Sequence, residues 1–206
     1  MKSLNYQNQM NRFLVTVFLA ILLYSCGSST ENAVPKPKGY NYIDLPKPAY
    51  SQLPSNIETF PYTFEYSNLA VAFDDTSSWK SLKEYYKIID YKEFQARLHI
   101  TYKPINNSID SLNEYITESY RLLEGHNKKA YDFRHSLDTL AGNNICLFEI
   151  EGEVPSPFQF YAHDSTNHFM RGAVYFDTAT KNDSLAPVID FVKNDVRHLL
   201  ETLEWQ

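Results

Sequence analysis

Cysteine is nearly absent from the chain: Cys26 and Cys146 are the only two in 206 residues. Such a count supports no network of internal disulfides. No uncharged apolar run reaches the roughly 20 residues that a bilayer span requires. Basic residues are outnumbered, 19 against 25 acidic ones, for a formal charge of −6. That balance argues against nucleic acid and against a basic membrane-binding face. The patterns GxSxG, HExxH, the phosphate-binding P-loop and GxGxxG do not occur, which removes the commonest short signatures of hydrolases, zinc peptidases and nucleotide binders. His99, His126, His135 and His198 are scattered without metal-ligand spacing.

What is present begins with the first 26 residues. Lys2 and Arg12 are their only charges, and an apolar run from Phe13 to Tyr24 follows. It is short enough to be the core of a signal peptide. The run closes on Leu23-Tyr24-Ser25-Cys26-Gly27. Leucine at −3, a small residue at −1 and cysteine at +1 resemble the lipobox cut by the lipoprotein signal peptidase. The competing description is a secretory signal with an unrelated cysteine, but charge, apolar length, small residue and cysteine agree on the lipobox. Residues 1–25 are therefore expected to be removed, leaving Cys26 as the lipid attachment site. A diacylglycerol plus an N-acyl chain exceeds the two lipid signals that stable anchoring needs. Gly27 stands where an inner-membrane retention aspartate would stand, so the outer membrane is the expected address. Loss of Lys2 and Arg12 takes the charge from −6 to −8.

Residues 26–61 read as a proline-rich tether, with Pro35-Lys36-Pro37 echoed by Pro46-Lys47-Pro48. Tyr40, Tyr42, Ile43, Leu45 and Tyr50 interrupt it and want a surface, either the domain or a partner. Residues 62–206 read as one globular domain. Strands are expected at 62–66, 69–73, 87–91, 96–104, 144–152, 158–163 and 168–176. Within 96–104 the alternation is clean, and 158–163 and 168–176 are apolar on both faces, as in a sheet covered on both sides. A helix capped by Asn107 or Ser108 and ended by Gly125 carries Ile109, Leu112, Ile116 and Leu123 on one stripe. A second, 183–205, carries Leu185, Ile189, Val192, Val196, Leu199 and Leu203, with Pro187 in its first turn. The order implies an α+β domain, a mostly antiparallel sheet flanked by two helices.

The stretch FYAHDSTNHF, 160–169, holds His163, Asp164, Ser165 and His168 among aromatics. Those are the letters of a nucleophile, a base and an orienting acid. Between two strand-like runs, however, Asp164-Ser165-Thr166-Asn167 is a hairpin tip, because these side chains bond their own backbone. Consecutive residues also point to opposite faces, which no triad tolerates. His163 and His168 facing each other would be only two metal ligands, with no third at hand. The tip is thus a candidate interaction surface, made of Tyr161, Asp164, His168 and Phe169, with Tyr161 outward beside Gln159 and His163. Cys146 alternates with Phe148 and Ile150 and is expected in the core. No catalytic residue, cofactor or metal is assigned.

Taken together, the lipobox, PKPKGY, LPKPAY, LHITYKPINNSIDSL, FYAHDSTNHFMRGAVYF and DVRHLLETLEWQ resemble the GldD family, gliding-motility lipoproteins of the Bacteroidetes. The resemblance covers nearly the whole mature chain. It implies a palmitate-bearing envelope lipoprotein in the periplasm, required for gliding alongside type IX secretion. Other gliding lipoproteins and secretion components are the implied partners, and no enzymatic activity is implied. The element order is also similar to the Mog1/PsbP-type sandwich. The alternative is a periplasmic enzyme acting on envelope glycans, which needs two carboxyls converging in a cleft at roughly 5–10 Å.

Overall fold

The computed structural model describes residues 43–53, 61–75, 85–125, 130–177 and 182–206, and upstream of these only Arg12, Leu14 and Val15. Cys26, the lipobox and most of the proline-rich segment lie outside the described residues. The chain divides into two compact units, Met1–Gly39 and Tyr40–Gln206, and the elements below all belong to the second. No helix among the described residues is long and apolar enough to cross a membrane.

Three short strands come first: β1 (Tyr50–Gln52), β2 (Tyr62–Thr63) and β3 (Glu65–Ser67). The longer ones are β4 (Val71–Asp74), β5 (Tyr85–Tyr91), β6 (Ala96–Pro104), β7 (Ala130–Leu140), β8 (Asn143–Gly152), β9 (Phe158–His163) and β10 (His168–Phe176). Helix α1 (Ile109–Glu124) lies between β6 and β7 in the chain; α2 (Asn182–Glu201) and β11 (Glu204–Trp205) follow β10. Seven strands form one antiparallel sheet in the order β4-β5-β6-β10-β9-β8-β7. The fold is α+β, a mostly antiparallel sheet with two helices.

Alternation along the strands divides the core in two. Leu98, Ile100 and Tyr102 of β6, Phe158, Phe160 and Ala162 of β9, and Met170 and Val174 of β10 pack with Val192, Val196 and Leu199 of α2. Cys146, Phe148 and Ile150 of β8, Tyr161 and Phe169 pack with Leu112 and Leu123 of α1. Both faces of β9 and β10 are therefore covered, which is why apolar residues appear on both faces of their sequences. The close approach of β10 to β9 is set by Gly172. A Cβ there would lie 2.2 Å from Phe160 Cε1.

Packing begins upstream of the boundary that composition places after residue 61. Ile43 and Leu45 pack on the α2-side core and Leu53 is buried in it. Strand β1 pairs with β3, and β2 pairs with β11. The last pairing corrects the expected 183–205 helix, which ends at Glu201. Thr202 Oγ1 bonds back to the carbonyls of His198 and Leu199, and the chain then extends along β2. Pro187 stands inside α2, past the first turn. Ser108 caps α1 by accepting the amide of Ser111, and Gly125 is its C-cap. Ile109, expected in the buried stripe, is 65% exposed because it is the first helical residue.

Candidate functional site

Asp164 organises the β9–β10 tip. Its Oδ1 accepts the amides of Thr166 at 2.9 Å, Asn167 at 2.8 Å and His168 at 2.9 Å. Its own N–H donates to the His168 carbonyl. Burial pushes this carboxyl up, but the amides of His168, Thr166 and Asn167 outweigh it and leave the group below the usual carboxylate range. The tip is tied to the entrance of α1, since Ile105 N–H donates to Asn167 O and Asn107 N–H to Thr166 O.

Ser165 adopts a left-handed φ of 70°. That conformation returns its backbone and side chain to the preceding histidine. His163 Nδ1 accepts the Ser165 N–H at 3.1 Å and lies 3.3 Å from Ser165 Oγ, which also accepts from Asn144 Nδ2 at 3.1 Å. Serine and imidazole thus meet, which alternation alone does not anticipate. The contact is a local turn bond: Nδ1 already holds the backbone amide, and the neighbouring aspartate is engaged with three others. Burial lowers the His163 pKa, against the opposing charge of Asp164.

The two histidines do not face each other. His163 pairs with Phe169, because Asp164 and His168 close the turn between them. The one-residue offset sends His163 to the α1 face and His168 to the α2 face. There His168 lies 2.9 Å from Tyr102 Oη through Nδ1 and stacks on Trp205 with centroids 5.1 Å apart. The Trp205 indole N–H donates to Asn143, whose Nδ2 donates to Leu203 O at 3.2 Å. His168 is part of a latch that holds the C-terminus across the sheet. Among the described residues no group of three or more His, Cys, Asp or Glu side chains is arranged to hold a metal ion.

Tyr161 and Phe169, expected as contact aromatics, are turned inward. They are 6% and 2% exposed and stack on each other at 5.9 Å. Tyr161 does share its face with Gln159 and His163, but α1 covers that face. The outward placement of Tyr161 is corrected by the two-sided cover of β9, which buries it against α1. Cys146 beside them is fully buried, and burial raises its thiol pKa against the lowering effect of the Tyr161 and Tyr120 hydroxyls.

The acids of β8 are likewise committed. Glu149 binds Lys193 at 2.7 Å and Arg197 at 2.8 Å, pinning α2 to the sheet. Burial raises its pKa, and those two cations more than reverse the effect. Glu151 pairs with Arg134. These side chains line or border a cleft of about 440 Å³ with Tyr131, Asp190 and Ile189. A glycosidase acid needs a raised pKa, and the Lys193 and Arg197 contacts hold Glu149 in the opposite direction.

Among the described residues, the two most exposed large apolar side chains of the domain, Leu137 and Tyr131, are on β7, and Phe133 is open as well. Leu137 is 74% exposed, Tyr131 68% and Phe133 37%. No strand is expected there, although Asp132, Arg134, Ser136 and Asp138 alternate with Tyr131, Phe133, His135 and Leu137. The available signal was Phe133-x-His135-x-Leu137 followed by a turn at Ala141-Gly142.

The class the structure defines is an antiparallel α+β domain covered on both faces of its sheet, with the polar groups of the β9–β10 tip engaged in turn and latch contacts. The chain belongs to the family described as gliding motility lipoprotein GldD, whose family model matches residues 30–205. No curated protein matches the chain. A role in gliding and a lipid-anchored place in the cell envelope follow from that membership.

Proposed function

We propose that this chain is a non-catalytic lipoprotein that assembles or stabilises the gliding and type IX secretion machinery through protein–protein contacts. It is anchored by acylated Cys26 in the outer membrane and faces the periplasm. The observation that carries the reading is the family match across residues 30–205. The chemistry at the tip supports it, since Asp164 is engaged by three amides and His163 Nδ1 by Ser165.

The test is crosslinking in intact cells, then pull-down of the tagged lipoprotein from detergent-solubilised envelopes. Gliding lipoproteins or secretion components should be recovered. Colony spreading and immunoblot levels of Ser165→Ala and His168→Ala provide the second arm. Either variant abolishing spreading at normal abundance would restore the enzyme alternative.

A further inference from the structure

Strand β7 is the last strand of the sheet, and no described strand pairs with its outer edge. It is 11 residues long, and nine of them are exposed, on both faces. It has no proline or lysine; its edge protection is limited to Asp132, Arg134, Asp138 and the bulge at its start. Its outward-facing backbone groups can be assigned. Ala141 and Gly142 have φ of 51° and 79°, the two positive values of a type I′ turn, whose flanking pair exchanges backbone bonds. That pair is Leu140–Asn143. Alternation from it aims residues 138, 136, 134 and 132 at β8. Residues 139, 137, 135 and 133 present N–H and C=O to the open edge. The Phe133 and Thr139 amides donate only to the short side chains of Asp132 and Asp138, at 2.9 and 2.7 Å, local bonds that a neighbouring strand would replace.

We propose that a second copy of this chain occupies that edge, antiparallel β7 to β7, about a twofold axis through Ser136. The two seven-stranded sheets then become one. A twofold axis normal to the sheet opposes residues of the same face, so few registers are open. Centred on Arg134, two guanidiniums meet. Centred on His135, Asp132 opposes Asp138 twice. Centred on Leu137, Arg134 opposes Leu140 and no opposite charges meet. Centred on Ser136, each Arg134 opposes the other copy's Asp138, and the small serine sits on the axis.

The same register resolves the other face. His135 opposes the other copy's Leu137. Diagonal neighbours bring the two Leu137 side chains together and set each Phe133 beside the opposite Leu137. The exposed apolar side chains of the straight part of β7 are covered at once. Tyr131 lies at the bulge between Ala130 and Asp132, outside the paired stretch. Arg134 is already held on its face by Asp132 and Glu151. Solvent-exposed charge pairs of this kind select register more than they add affinity.

The full lipidated chain, purified in detergent, tests the pairing. Ser136→Cys should form a disulfide-linked dimer under mild oxidation, because paired residues on the axis lie about 4.5 Å apart at Cα. Thr139→Cys should not, since its copies are separated by six residues, about 20 Å. The parent chain controls for Cys26 and Cys146. Sedimentation should show a dimer for the parent, a monomer for Asp138→Arg, and a restored dimer for Asp138→Arg with Arg134→Asp. Circular dichroism checks that each variant is folded. A monomeric parent, equal crosslinking at 136 and 139, or a dimer indifferent to Asp138→Arg would each overturn the proposal.

Discussion

Asp164 and Asp195 are carboxyls that the fold pushes in opposite directions, and the difference is measurable. Amides outweigh burial at Asp164 and lower its pKa. A lowered carboxylate contributes stability that is present above its unfolded value, about 3.9, and is lost as pH falls through the folded value. Asp164→Ala should therefore cost about 1–2 kcal/mol near neutral pH, and the gap to the parent should narrow once pH falls below the unfolded value. Urea midpoints in the two pH ranges check it, and a gap independent of pH would count against the amide cage. Asp195, on α2, is 2% exposed. Burial raises its pKa, while hydrogen bonds from Ser67 and Tyr50 and the charge of His198 pull it down by less. Here the folded state holds its proton more tightly than the unfolded chain, so stability is lost as pH rises through the folded value. Asp195→Asn should gain on the parent between about pH 4 and neutrality, the reverse of Asp164→Ala. Tyr50, which donates to Asp195 at 3.1 Å, is pushed up to about 12 by burial and then by that carboxyl, and so stays a donor throughout this range.

At the scale of elements, the central strands are legible in the sequence and the outermost one is not. The pattern of β6 reads straight off Ala96, Leu98, Ile100 and Tyr102, which are all buried, because one continuous core covers that face. In β9 and β10 the pattern disappears for the opposite reason: both faces are covered, and apolar residues occur on both. That same cover hides the true placement of Tyr161, since alternation identifies a face without identifying what packs on it. Strand β7 is exposed on both faces, so its alternation marks no core, and its pairing with β8 rests on backbone bonds and the Ala141-Gly142 turn. The C-terminal β11 is masked by a helical stripe that runs on to Leu203. Gly172 tests the packing of the central pair. Gly172→Ala brings a methyl against the Phe160 ring, which is 1% exposed and cannot move into solvent. Overpacking should cost about 1–3 kcal/mol, read as a lower urea midpoint. Phe160→Leu in the same chain should recover part of it, whereas a loss unchanged by Phe160→Leu would place the strain in the backbone.

For the whole molecule, attachment and folding are separable because they rest on different residues. The packed core draws on Ile43, Leu45 and Leu53 onwards, while the proposed anchor is Cys26, in the unit Met1–Gly39. No helix among the described residues can span a bilayer, and the acidic chain gives no electrostatic hold on an anionic leaflet. In the proposed arrangement, lipid on Cys26 ties the domain to the membrane. Cys26→Ala should appear in the soluble fraction, or remain as an uncut precursor, while its urea midpoint stays at the parent value. Labelled palmitate should enter the parent chain and not the variant. Colony spreading should fail in cells that accumulate the variant at parental abundance, because a folded domain without its anchor cannot hold machinery at the envelope. Spreading by a soluble, unlabelled variant would show that attachment is dispensable. Loss of spreading with a lowered urea midpoint would show instead that the N-terminal unit contributes to folding.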